Sequence, residues 1–173
     1  TLNAKAAIFA SEEAMKACNK RVELMLSATV ADASGRTLSG QTIKAFIASV
    51  SHANILSIGL NCSFGAKDLK PYLKELGEHV SCYVSAYPNA GLPNQFGEYD
   101  QTPEMMGVQV KEYIDEKLVN IIGGCCGTTP AHIAEYQKLI QNVDIRQPKK
   151  KSHDLLLSGM DEFSMKSNSF LFN

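Results

Sequence analysis

The run Val119-Asn120-Ile121-Ile122-Gly123-Gly124-Cys125-Cys126-Gly127-Thr128-Thr129-Pro130 decides how this chain is read: an apolar, strand-like segment ends in glycines and then presents two adjacent thiols. Two soft sulfur donors side by side suggest a metal. Successive side chains on a regular strand point to opposite faces, so neighbouring cysteines inside a strand could not both reach one ion. The glycines answer that difficulty. Gly123, Gly124 and Gly127 lack a Cβ and admit backbone angles closed to other residues, which lets the chain leave its extended path and turn both sulfurs toward one point.

Working outward, the run Ile55-Leu56-Ser57-Ile58-Gly59-Leu60-Asn61-Cys62 has the same grammar: a hydrophobic strand, a cysteine at its C-terminal end, and Gly65 in the turn that follows. Cys62 would supply a third sulfur. Three thiolates on Zn²⁺ with the fourth position open describe a catalytic ion rather than a closed structural one. The competing reading of any free cysteine is a small buried hydrophobe, and it is the one adopted for Cys18, in a helical stretch, and Cys82, inside the apolar segment Val80 to Ala86. A disulfide framework does not fit an odd count of 5 cysteines in a chain of this size without a visible secretory leader. Reduced thiols and a cytoplasmic location are expected.

Composition narrows the class further. At 173 residues, 45% hydrophobic and 20% charged, the chain can build one domain with a real core. Its net charge of -1 comes without a basic stripe, which argues against nucleic acid and membrane surfaces as partners. No apolar stretch is long enough to span a bilayer, and no repeat or low-complexity segment is present.

Helix and strand patterns alternate along the chain. Leu2 to Cys18 reads as an amphipathic helix with Ala6, Phe9, Ala10, Ala14 and Ala17 near helical spacing, followed by an apolar strand from Val22 to Val30. The remaining helices are expected over Thr42 to His52, Asp68 to Glu78, Thr102 to Lys117 and Thr129 to Asn142. Thr102-Pro103 and Thr129-Pro130 carry the cap-plus-proline signal of a helix start. Strands ending at Cys62, Ala86 and the paired cysteines complete the order, and residues after 142 form a polar tail. The fold class is therefore α/β, built of parallel βα units, as in half of a (β/α)₈ TIM barrel. Each candidate ligand lies on the C-terminal side of its strand, where such sheets do their chemistry. A sheet of this kind leaves two edges unpaired, which favours self-association.

Five motifs, Asp32-Ala-Ser-Gly-Arg-Thr-Leu-Ser-Gly-Gln41, Gly59-Leu-Asn-Cys62, Tyr87-Pro-Asn-Ala-Gly-Leu-Pro-Asn94, Phe96-Gly-Glu-Tyr-Asp100 and Gly123-Gly-Cys-Cys-Gly-Thr128, occur in one order. Together they closely resemble the homocysteine-binding domain of cobalamin-dependent methionine synthases. The resemblance covers residues 1–142 and implies the C-terminal half of a barrel, strands five to eight; residues 143–173 resemble a connector toward a folate-binding domain that is not in this chain. It implies Zn²⁺ on Cys62, Cys125 and Cys126, homocysteine as the fourth ligand, and methyl transfer from methylcobalamin, ultimately from 5-methyltetrahydrofolate, to give methionine. The implied partners are homocysteine and the cobalamin and folate domains of a longer protein. The first half of the barrel is absent, including an acidic residue just upstream of Thr1 that helps to hold homocysteine in the family, so the isolated piece is expected to be inactive. Two other readings stay open: a cobalamin-independent homocysteine methyltransferase using a sulfonium or betaine donor, and a non-catalytic zinc module.

Further residues carry weaker signals. Asn89, on the loop after the third strand, could touch the metal or the amino-acid end of the substrate, against a plain turn role for Pro88-Asn-Ala-Gly91. Gly123 and Gly124 could offer backbone groups to the substrate. Asp32, Ser34, Arg36 and Thr37 could line the rim of the site or form a solvated turn. His52, His79 and His132 are assigned surface or capping duty, and Met105-Met106 core filling.

Overall fold

Thr42, Thr102 and Thr129 each stand where extended backbone turns into helix, and their hydroxyls and carbonyls take up the amides that a helix start leaves unpaired. In the computed structural model, which describes residues 1–151 and 154–165, these starts open α2 (Ile43–Val50), α4 (Pro103–Asp115) and α5 (Pro130–Leu139). The other helices are α1 (Leu2–Ala17) and α3 (Ala66–His79), and the strands are β1 (Met25–Ala28), β2 (Ser57–Gly65), β3 (Tyr83–Asn89) and β4 (Ile121–Ile122). The four strands form one parallel sheet in the order β1-β2-β3-β4. This is an α/β fold consistent with part of a TIM-barrel-like domain. Among the described residues, β1 and β4 each keep one edge without a strand partner, and no helix is long and apolar enough to cross a membrane.

The strand register sorts the side chains. Leu26, Ile58 and Val84 form one lateral row and Ala28, Leu60, Ala86 and Ile122 another, and both rows join the core against the helices, with Phe46, Leu69, Leu73 and Val110 opposite them. The alternate row, Ser27, Gly59, Ser85 and Ile121, faces the other side. Apart from Ile121, the residues there are small. A Cβ on Gly59 would lie 2.0 Å from Ser85 Oγ, so only glycine lets β2 and β3 pair at that point.

Several elements differ from what periodicity predicts. Strand β1 spans only the four residues that pair with β2, whereas Val22 is exposed and Val30 makes a separate bridge to Thr37. Strand β3 begins three residues later than the apolar pattern suggests and runs on to Asn89, which pairs with Gly65. Cys82 therefore precedes β3, half-buried, and Asn89 ends the strand rather than sitting in a loop. Helix α1 keeps its predicted span but not its predicted face. Ile8 is buried, Phe9 is 66% exposed, and Cys18 is an exposed C-cap residue. Its apolar residues are spread around the helix, and only a narrow strip meets α2. Of the methionine pair, Met106 fills the core and Met105 is exposed.

The polar tail also folds. Leu155–Ser158 and Glu162–Met165 form an antiparallel hairpin, β5 and β6, lying along α2. Its turn meets the segment before α2: Thr42 N–H donates to Met160 O at 2.9 Å, Gln41 Nε2 to Gly159 O at 2.9 Å, and Arg36 pairs with Asp161 at 3.0 Å. Arg36 and Thr37 are thus engaged by the hairpin and by the local turn, while Asp32 accepts from the amide and hydroxyl of Ser34, which holds its carboxyl below the usual range. No contact between these four residues and the cysteines is recorded among the described residues.

Arg146 closes the opposite end of the sheet. Only 6% exposed, it donates to Gly77 O at 2.9 Å, Cys82 O at 3.0 Å and Asn120 Oδ1 at 3.3 Å. Asn120 returns a bond from Nδ2 to Arg146 O at 2.7 Å and accepts from Val84 N–H. One guanidinium therefore satisfies carbonyls at the end of α3 and the approach to β3 that would otherwise be buried unpaired. Arg146→Ala is expected to lower the unfolding free energy by at least about 2 kcal/mol, because it strands those acceptors. A urea-unfolding midpoint checks this, and Arg146→Lys should recover little, since an ammonium cannot span all three acceptors.

Candidate metal centre

The three cysteines of the sequence analysis meet. Cys62 Sγ lies 3.5 Å from Cys126 Sγ, and Cys126 Sγ lies 3.9 Å from Cys125 Sγ. All three sulfurs fall within 4.8 Å of one another. Zinc–sulfur bonds of about 2.3 Å at tetrahedral angles put ligand sulfurs about 3.8 Å apart, so these spacings suit a shared metal ion. They are far too long for a disulfide, which needs about 2.05 Å.

Backbone geometry on β2 places the first sulfur. Asn61 pairs with Tyr87 and Gly65 with Asn89, so residues 62–64 of β2 stand opposite the single residue Pro88. This bulge pushes the chain outward, with Cys62 at φ 62° and Ser63 at φ 61°. Two successive non-glycine residues in the left-handed region cost of order 1–3 kcal/mol each and persist only where the surroundings hold them. The turn expected at Gly65 is made instead by Cys62 and Ser63. Gly65 has φ -70° and caps α3, its missing side chain leaving room for Gly91.

The other two sulfurs are placed by the end of β3. Cys125 N–H donates to Pro88 O at 2.8 Å, Cys126 N–H to Asn89 Oδ1 at 3.1 Å, and Ala90 N–H to Cys126 O at 2.8 Å. Both cysteines lie beyond β4, in a turn closed by Thr128 N–H to Cys125 O. Gly127, at φ +77°, is the glycine that needs left-handed backbone, and a Cβ there would sit 2.3 Å from Tyr99 Cβ. Gly123 and Gly124 have ordinary backbone angles. Their bare Cα atoms make room for the Tyr87 ring and for Thr128.

Asn89, 3% exposed, joins the two halves of the site, because its backbone pairs with Gly65 at the end of the β2 bulge while its Oδ1 accepts from Cys126 N–H. Burial by itself pushes the Cys62 thiol up, but hydrogen bonds from Ser63 N–H, the two other cysteines and Asn89 outweigh it, and its net shift is downward. Cys125 moves the other way, to about 11, through burial first and then through its bonds to Cys62 and Cys126 and the charge on Cys62. One thiolate in the cluster thus hinders the next. A cation removes that conflict. All three cysteines are half-buried, and Cys125 borders an open depression of about 590 Å³ lined by Thr128, Thr129, Pro130 and Ile133.

His132 caps α5 and is buried rather than superficial. Thr129 N–H donates to its Nδ1 at 3.2 Å, which leaves Nε2 to donate to Gln101 O at 3.0 Å. It ties the cysteine turn to the segment that carries Tyr99. His52 and His79 are exposed, as expected. Sequence reasoning assigned no role to Tyr99 or Arg146, because nothing local marks a residue whose neighbours lie tens of positions away, nor to Ser63, whose left-handed backbone follows from the β2–β3 register. Tyr99 stood inside a quoted motif, which was the available signal.

A model of the family described as homocysteine S-methyltransferase matches residues 1–140. The chain belongs to this family. In a homocysteine S-methyltransferase domain the reaction is methyl transfer to homocysteine, and the cluster of Cys62, Cys125 and Cys126 could hold the metal ion that such thiol chemistry uses.

Replacing Cys62, Cys125 or Cys126 singly by Ser is expected to weaken Zn²⁺ retention by roughly tenfold or more, whereas Cys18→Ser and Cys82→Ser leave it unchanged. Competition against a chromophoric chelator measures this. Because Cys125 is raised to about 11 and holds its proton at neutral pH, binding must expel that proton. Affinity should therefore rise with pH from 6 to 8 and fall on acidification.

Proposed function

We propose that this chain is the zinc-bearing, C-terminal half of the homocysteine-binding barrel of a cobalamin-dependent methionine synthase, contributing strands five to eight. What carries the reading is the spacing of the three sulfurs, which suits a tetrahedral thiolate site with one position left for a substrate sulfur, in a chain of this family. The motifs Tyr87 to Asn94 and Phe96 to Asp100 favour the cobalamin type of methyl donor over a sulfonium or betaine. Residues 143–173 then form the connector toward a folate-binding domain.

Zn²⁺, when held by Cys62, Cys125 and Cys126, would keep the homocysteine thiol ionised at neutral pH and offer it a coordination position. Cysteines suit this task better than histidines, because three thiolates leave the site negative and the substrate sulfur electron-rich. The substrate sulfur gains a carbon–sulfur bond as the methyl–carrier bond breaks, with the electron pair left on the carrier. The chain's own residues set the geometry. The β2 bulge aims Cys62, the end of β3 aims Cys125 and Cys126, and Asn89 locks the two together. In this reading Asn89, Gly123 and Gly124 would receive the amino-acid end of homocysteine. With the side-chain positions of both glycines filled by Tyr87 and Thr128, contact there would be through backbone groups.

X-ray absorption at the zinc edge tests this directly. The metal-loaded chain should show three sulfur ligands, and adding homocysteine should raise the count to four. A coordination shell unmoved by homocysteine would reject the substrate role and leave a structural zinc module.

A further inference from the structure

Cys62 and Ser63, both in the left-handed region, stand between two fixed points: the Asn61–Tyr87 pair before them and Phe64 after them. Phe64 is half-buried and packs against the core. Its ring stacks on that of Tyr72 in α3, with centroids 5.5 Å apart and planes at 29°, within the offset geometry that aromatic pairs favour. Any shift of Phe64 must therefore be absorbed by the backbone angles of Cys62 and Ser63, and it would move the first sulfur.

Tyr72 is held in turn from its other side. Its hydroxyl donates to Ala33 O at 2.9 Å, and its ring lies against Gly35, where a Cβ would be 3.0 Å from Tyr72 Cε1. Ala33 and Gly35 belong to the turn after β1, closed by Ala31 N–H to Arg36 O at 2.7 Å and Gly35 N–H to Asp32 O at 3.1 Å. The hairpin grips the far end of that turn. Arg36 Nη1 donates to Gly40 O at 2.8 Å and Nη2 pairs with Asp161, while Gln41 and Thr42 donate to Gly159 O and Met160 O. The methyl end of Met160 fills the space that a Cβ on Gly40 would need. Contacts thus run from Asp161 through Arg36 and its turn to Tyr72, and from there through Phe64 to the bulge that carries Cys62.

We infer that Tyr72 is a positioning residue for Cys62, and that the β5–β6 hairpin, by fixing the turn that Tyr72 grips, couples residues 155–165 to the metal centre. The inference rests on the zinc reading above and extends it. A partner that shifts the hairpin then changes the hold on zinc without touching a ligand.

The full chain is compared with Tyr72→Phe, Asp161→Ala and the two combined. Each is titrated with Zn²⁺ against a chromophoric chelator and loaded with Co²⁺, whose thiolate charge-transfer absorption reports the geometry of the sulfurs. Tyr72→Phe keeps the stacked ring and loses the hydroxyl; it should bind Zn²⁺ roughly fivefold more weakly, the equivalent of one hydrogen bond, and lower the cobalt–thiolate band. Asp161→Ala should weaken binding about twofold, in keeping with an exposed ion pair, and should add nothing in the Tyr72→Phe background. Arg146→Ala, which loosens the opposite end of the sheet, should leave both readouts unchanged under conditions where circular dichroism shows it folded. An equal response in Arg146→Ala would reduce the effect to general stability and overturn the inference. Unaltered zinc binding in Tyr72→Phe overturns it too, as do additive effects of the two substitutions. Should Tyr72→Phe not fold, Asp161→Ala decides: a lowered cobalt band upholds the coupling and an unchanged one ends it. If Zn²⁺ binds the unaltered chain and ignores these substitutions, this inference alone falls. If Zn²⁺ binds no form of the chain, the functional reading falls and takes this inference with it.

Discussion

The grip of β3 on the cysteine turn is the constraint on which the rest depends. Pro88 O, Asn89 Oδ1 and Ala90 N–H hold both Cys125 and Cys126 through main-chain or amide hydrogen bonds. Because β3 is hydrogen-bonded on both flanks and largely buried, those three groups are rigid. The same residues face the β2 bulge, where Asn89 pairs with Gly65 and Tyr87 with Asn61 on either side of Cys62. A single strand end therefore sets the positions of all three sulfurs, which is what a metal site with fixed spacings requires.

Strain and hydrogen bonding are concentrated at that point. Left-handed backbone at Cys62 and Ser63 is unfavourable in isolation, and the flanking pairs Asn61–Tyr87 and Gly65–Asn89 leave the intervening residues no extended alternative. In return the Ser63 amide turns toward the Cys62 sulfur. The opposed shifts of Cys62 and Cys125 arise in the same small space. Donors favour one thiolate, and its charge disfavours the second. Such a cluster could hold a divalent cation, and the reaction of the family is methyl transfer to homocysteine.

The two ends of the sheet have different tasks. The C-terminal ends of β2 and β3 and the turn beyond β4 carry the cluster, while at the other end Arg146 and Asn120 satisfy buried carbonyls. The hairpin of β5 and β6 braces α2 from outside and engages Arg36 and Gln41. Arg146 and the hairpin therefore contribute to the stability of the sheet that precedes them.

How much of this was legible in the sequence depended on how local each signal was. The threonine–proline starts of α4 and α5, the alternation of helix and strand, and the apolar rows that face the helices follow from contacts within a few residues, and the sequence alone determined them. It also singled out the cysteines that cluster, because Cys62 and the pair Cys125-Cys126 each close an apolar run next to glycine and Cys18 and Cys82 do not. Strand limits, the bulge at Cys62, the exposed face of α1, the folded tail and the contacts that hold the cysteines were decided by tertiary structure. Pairing partners set where a strand starts and stops, and Asn89 and Arg146 act on groups 37 and 64 positions away, respectively on Cys126 and Cys82. Short-range pattern carries no record of such distances, since the chain must first close its loops before those groups can meet.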